Sequence, residues 1–185
     1  DQAAVRRALE RCELVVVQEA YATTATARYA DVLLPATSWG EKDGTVTNSE
    51  RCISRVRPAV SAPGEARHDW AIGVDFARRL ESRLHGDRRA AVRLPSASST
   101  LFAYDSPRSV WNEHRESTRG RDLDITGLDY ARLDRSPAQW PYPEGATAGR
   151  SRLYEDGRYA TPDGRARFVD TAYEPLAEPR DARYP

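Results

Sequence analysis

Residues 2–11, QAAVRRALER, place Ala4, Val5, Ala8 and Leu9 on one side at helical spacing, which predicts an amphipathic helix. The period then changes. ELVVVQE at 13–19 is a continuous β-branched run of the kind found in strands buried on both faces. TTATARYA (23–30) offers a threonine cap and a short helix, and DVLLPA (31–36) is a second short apolar run closed by proline. Helix, strand, short helix, strand is the rhythm of a parallel α/β sheet. Such sheets hold their ligands beyond the carboxyl ends of the strands. Here those ends are Gln18 and Glu19 after the first strand and the loop 36–50 after the second.

Further along, CISRVRPAV (52–60) alternates apolar and polar residues, as a half-exposed strand does. SAPGEARHD is a turn into a helix with Asp69 near its start, and Trp70 to Leu84 supply the helix's apolar content. Trp39 and Trp70 are expected in the core. From 85 to 109 the chain is basic and then serine-rich, a linker or surface excursion. SVWNEHRES (109–117) predicts one exposed helix, and 127–145 a short helix followed by proline-punctuated coil. LYEDGRYATPDGRARFVD (153–170) predicts a hairpin around Asp-Gly and a second turn into a strand, before an extended proline-rich tail. The expected fold class is therefore α/β: a partial Rossmann-like parallel sheet with helices, then an irregular connector with a short hairpin. The expected divisions are 1–85, an α/β unit; 86–150, an excursion with short helices; and 151–185, a hairpin and extended connector.

Composition narrows the function. Lys plus Arg and Asp plus Glu balance at 28 each, so no net field points to nucleic acid or an anionic membrane. No apolar run reaches membrane-spanning length. Two cysteines and three histidines show no metal-ligand spacing, and a reducing cytoplasm is the expected compartment. The lack of any methionine, with the extended tail, leads us to expect a piece of a longer polypeptide. No dinucleotide glycine fingerprint, phosphate-binding loop, nucleophile elbow or zinc-protease motif is present. One oddity remains: Lys42, in SWGEKDGTVTNSERC, is the sole lysine among the 28 basic residues. By itself it reads first as a solvated surface residue, and second as a compact ammonium that arginine cannot replace.

A composite pattern weighs on that choice. The strand ending in Gln18–Glu19 is followed by T-A-x-x-A-D-V-x-L-P at 26–35, W-x-E-K-x-G-T-x-T-N-x-E-R at 39–51 and P-G-E-A-x-x-D-W at 63–70. WPYP and RLYEDGRYATPDGRARF follow more sparsely. This order and spacing resembles the molybdopterin oxidoreductases that carry molybdenum on a bis-molybdopterin guanine dinucleotide, among them nitrate reductases and formate dehydrogenases. The assimilatory nitrate reductases resemble it most. Cys52 stands where that pattern commonly has a second arginine, so no ion pair is expected from that position.

The resemblance implies a parent enzyme that reduces nitrate to nitrite, with an iron–sulfur cluster bound outside this segment. It also implies an electron donor such as ferredoxin or a flavoprotein, and contacts with the rest of the same polypeptide. Formate oxidation is the alternative reaction, and a non-catalytic scaffold the alternative class. The isolated chain is expected to be inactive, with no catalytic or metal-ligating residue. By the same resemblance Gln18, Glu19, Lys42 and Asp69 contact the dinucleotide. The chemistry suits them. A carboxylate at Asp69 accepts from both N1–H and the exocyclic amine of guanine. Glu19 accepts from ribose hydroxyls, and the Lys42 ammonium neutralises a phosphate or ribose oxygen. The plainer readings are a helix-dipole acid for Asp69 and a strand-end turn former for Gln18. Asn48 and Glu50 are expected to staple the loop.

Overall fold

The structure, a computed structural model, describes residues 2–86 and 100–175. The serine-rich stretch at 95–99 and the tail from 176 lie outside the described residues. The chain divides into two units, 1–150 and 151–185.

In the first unit, helix α1 (Gln2–Leu9) leads into β1 (Val16–Glu19), which pairs in parallel with β2 (Val32–Pro35). The crossover contains a single 3-10 turn, Thr26–Tyr29. Asp31 closes its base, because its carboxylate accepts from the Val15 N–H at 2.7 Å while its own N–H donates to the Val15 carbonyl at 2.9 Å. The apolar runs form the strands the pattern predicts, but they are not buried on both faces. Val16 is 51% exposed, and Leu14, Val32 and Leu33 are exposed with it. Among the described residues this sheet has two strands, too few to cover its own faces.

A second, antiparallel sheet has the order β3 (Gly44–Thr47), β4 (Cys52–Val56), β5 (Ala138–Gln139). β3 lies where the sequence predicts only loop; GTVT has one strongly apolar residue, and its strand state comes from pairing Gly44–Thr47 against Val56–Ile53. Asn48 staples the turn between them, its side-chain oxygen accepting from the Glu50 and Cys52 N–H groups at 3.0 Å each. Arg51 adopts φ 65° in that turn.

The buried cluster of this unit gathers on β4 from the segment 107–142. Helix α3 (Pro107–Glu116) is capped by Ser106, which accepts from the Ser109 N–H, and α4 (Tyr130–Arg135) by Asp129, which accepts from the Arg132 N–H. Ile53, Trp111, Ile125, Leu128, Tyr130, Leu133, Ala138 and Tyr142 pack together. Each large apolar side chain so buried contributes about 1.5–3 kcal/mol. The helix at 109–117 is thus not fully exposed: Trp111 is 7% exposed and its indole N–H donates to the Leu128 carbonyl at 2.7 Å. Gly149 is required where it passes β5, since a Cβ there would fall 1.9 Å from the Gln139 carbonyl oxygen.

Helix α2 (Asp69–Gly86) buries Ile72 but leaves Phe76, Leu80 and Leu84 exposed. In the second unit, turns close at both Asp-Gly steps, with Gly157 at φ 67° and Gly164 at φ 69°. The Tyr159 N–H donates to the Gly164 carbonyl across the reversal. No strand follows among the described residues: Phe168 and Val169 are exposed, and a β-rich run with nothing to pack against is not held as a strand.

Candidate functional site

Three local devices bring one cleft together at the carboxyl end of β1 and β2. The first is a short parallel bridge between Ala36 and Arg67. The Arg67 N–H donates to the Pro35 carbonyl and the Thr37 N–H to the Arg67 carbonyl, both at 3.0 Å. These bonds pin the start of α2 to the end of β2 and set Asp69 beside Gln18. The second is a 3-10 turn, Trp39–Glu41, closed when the Glu41 carboxylate accepts from the Ser38 N–H at 2.9 Å. Its Gly40 carbonyl accepts from the Ala59 and Val60 N–H groups. The third is Glu19 itself, whose Oε1 accepts from the Ala20 and Tyr21 N–H groups at 2.8 and 3.3 Å and fixes the chain as it leaves β1.

The cleft has a volume of about 260 Å³ and is lined by Gln18, Glu19, Tyr21, Thr37, Trp39, Lys42 and Asp69 among others. All four residues expected from the sequence therefore stand on one lining. Asp69 is the hub. Gln18 Nε2 donates to its Oδ1 at 2.7 Å, and Lys42 Nζ donates to its Oδ2 at 2.8 Å. A carboxylate offers about four lone-pair sites, so each Asp69 oxygen keeps acceptor capacity beyond the bond it already has. The Asp69 side chain is 51% exposed and can be reached.

Burial raises the Asp69 pKa, but hydrogen bonds from Lys42 and Gln18 and the Lys42 charge outweigh it, and the carboxyl titrates below its ordinary value. Lys42, whose side chain is 25% exposed, also lies 5.3 Å from the centroid of the Trp39 ring.

Sequence reasoning assigned none of Trp39, Tyr21 and Thr37 to this lining. Trp39, expected in the core, is 64% exposed, because it sits on the 3-10 turn between Ser38 and Gly40, away from any periodic apolar run. Trp70 is half-buried. Tyr21 is 67% exposed, and Thr37 is buried with its hydroxyl lacking a hydrogen-bond partner. Only the position of these residues just past the two strands marked them.

Residues 1–79 match the family described as molybdopterin oxidoreductase. The chain is 36% identical over 186 residues to a nitrate reductase of Synechocystis sp., covering 98% of this chain and 24% of that protein. It is 37% identical over 190 residues to the assimilatory nitrate reductase of Haloferax mediterranei, covering 100% of this chain and 24% of the relative. An F420-dependent formate dehydrogenase subunit alpha of Methanocaldococcus jannaschii is 35% identical over 181 residues, with 98% and 24% covered. The chain thus spans about a quarter of the length of these relatives.

Proposed function

The chain belongs, through residues 1–79, to the molybdopterin oxidoreductase family, and from that premise we propose that the cleft at Asp69 recognises the guanine dinucleotide end of a molybdenum–pterin cofactor. The convergence of Gln18, Lys42 and Glu19 around one half-exposed carboxylate supports this reading most strongly. The donor set fits the group. Guanine presents two adjacent N–H donors, and Asp69 keeps an acceptor site on each oxygen after binding Gln18 and Lys42. Adenine would place a ring-nitrogen acceptor against the same carboxylate, leaving two acceptors unpaired. Glu19 Oε2 is available to ribose hydroxyls, since the backbone bonds engage Oε1. The Lys42 ammonium has three donors, of which one is on Asp69; the others suit a phosphate or ribose oxygen.

In this reading the bound group supplies oxygen-atom transfer at its metal, and the intact protein reduces nitrate to nitrite. The segment's own part is to bind and orient, not to make bonds. An iron–sulfur cluster held elsewhere and a ferredoxin or flavoprotein donor complete the electron path, in the cytoplasm. Among the described residues no helix is long and apolar enough to cross a membrane. The exposed apolar faces of β1, β2 and α2 contact other parts of the intact protein. Formate oxidation remains the second reading because a formate dehydrogenase subunit matches at 35% identity. The cleft serves either reaction, since it faces the nucleotide and not the substrate.

The test is nucleotide content. In the intact protein, Asp69→Asn and Lys42→Ala are expected to lower the guanine nucleotide released by acid per mole of protein, at unchanged protein yield. Unaltered content in both variants overturns the site.

A further inference from the structure

We propose that Trp39 and Tyr21 are the walls on which the purine base stacks while Asp69 reads its edge; this rests on the guanine reading above. Both rings line the cleft, and both are largely in water, at 64% and 67% exposure. Isolated exposed aromatics need no explanation, but two on one cleft beside a polar hub form an apolar surface that a planar ligand would cover.

Neither ring is carried on a slack segment. Trp39 rides the turn tied by Glu41 to Ser38 and by Gly40 to Ala59 and Val60. Tyr21 follows directly from the backbone N–H bonds that Glu19 accepts. Lys42 couples the face reader to the edge reader: its ammonium lies over the Trp39 ring at 5.3 Å and is bonded to Asp69 at 2.8 Å. A cation held over an aromatic face is attracted to it, so Lys42 fixes the Trp39 ring beside Asp69 while the ring stays 64% exposed and can take a base.

The division of labour follows from chemistry. Once a stacked base covers the Asp69 carboxylate, a matched edge adds affinity and a mismatched one leaves polar groups buried and unpaired, so this contact chooses between bases. Every base has a π-face, so stacking adds affinity without choosing between bases. The cleft therefore separates selectivity, at Asp69, from grip, at Trp39 and Tyr21.

The experiment titrates the cofactor-free intact protein with GDP and with ADP by isothermal calorimetry, with tryptophan fluorescence recorded alongside and thermal midpoints as the folding control. Trp39→Ala is expected to weaken GDP and ADP by the same factor, about tenfold. Trp39→Phe should restore most of that affinity while abolishing the fluorescence quench, and Tyr21→Ala should weaken both nucleotides by less. Asp69→Asn should instead erase the preference for GDP over ADP. If Asp69→Asn leaves preference and affinity intact, the guanine reading falls and the stacking walls fall with it. If Asp69→Asn erases the preference but Trp39→Ala and Tyr21→Ala bind GDP as the native protein does, the stacking proposal alone is overturned.

Discussion

The cleft at the end of β1 and β2 and the cluster around Leu128 lie in one unit but are held by different forces. Leu128, which is fully buried, and seven other apolar and aromatic side chains enclose one another; inside, Trp111 donates to the Leu128 carbonyl while the buried Tyr130 hydroxyl has no partner. At the cleft the strands themselves are half in water, and the geometry is set by backbone bridges and by side-chain bonds converging on Asp69. Apolar packing stabilises but does not discriminate among ligands. A polar hub left half exposed contributes little stability and remains able to bind. On the proposed reading, stability and recognition rest on separate residues, so the two can be perturbed independently.

The largest expected effect lies in the cluster. Trp111→Ala removes a buried indole and its hydrogen bond and should cost about 3–5 kcal/mol of unfolding free energy, measured as a shift of the urea midpoint at constant slope. The cleft should still form in the fraction that remains folded. A loss of less than about 1 kcal/mol would mean that the cluster around Leu128 is not what holds the unit.

A smaller effect on stability, with a clear effect on titration, is expected from Lys42→Ala. Removing one half-exposed pair should change unfolding free energy by no more than about 1 kcal/mol. The Asp69 carboxyl, however, titrates below its ordinary value because Lys42 and Gln18 outweigh its desolvation. A depressed carboxylate pKa means that the pair is fully formed above the unfolded value, about 3.9, and is lost as pH falls through the lower folded value. Lys42→Ala should move that loss upward, toward the ordinary value, as read from the Asp69 carboxyl carbon by NMR. At neutral pH Asp69 stays ionised in both proteins, so any loss of nucleotide there reports on position and not on protonation. An unmoved midpoint would break the contrast between the two regions, because the hub would then owe nothing to its cation.

Much of the cleft was legible in the sequence because its residues are tied to short-range signals. Strand ends, a turn rich in Gly and Ser, and a helix start at Asp69 are all local, and in a parallel arrangement such ends meet on one side of the sheet. Position marks Gln18, Glu19 and the loop 36–50, the family resemblance singles out Lys42 and Asp69, and all four line one cleft. The cluster was not legible. Trp111 stands alone among charged residues in SVWNEHRES, and Ile125, Leu128 and Leu133 are separated by acids and arginines. No window there shows a clean period, and burial comes from packing against β4, far away in the chain. β3 escaped for the same reason, since its strand state depends on its partner. The exposure of β1 failed in the other direction: VVV predicts burial, but burial requires a neighbour that the described residues do not supply.

The smallest expected effect separates charge from hydrogen bonding within the hub. Gln18 lies exposed at the end of β1, and its amide is a neutral donor to Asp69 Oδ1. Gln18→Ala lets water take that place, so unfolding free energy should stay within about 0.5 kcal/mol. The Asp69 midpoint should rise, but by less than in Lys42→Ala, because an ammonium contributes both a hydrogen bond and a charge while an amide contributes only the bond. Salt distinguishes the two further. Raising ionic strength screens the charge on Lys42 and should move the Asp69 midpoint upward in the Gln18→Ala protein, which keeps that cation, more than in Lys42→Ala, which does not. If Gln18→Ala shifts the midpoint as far as Lys42→Ala does, the hub is set by local hydrogen bonding. The sole lysine of the chain would then be no more than one donor among two.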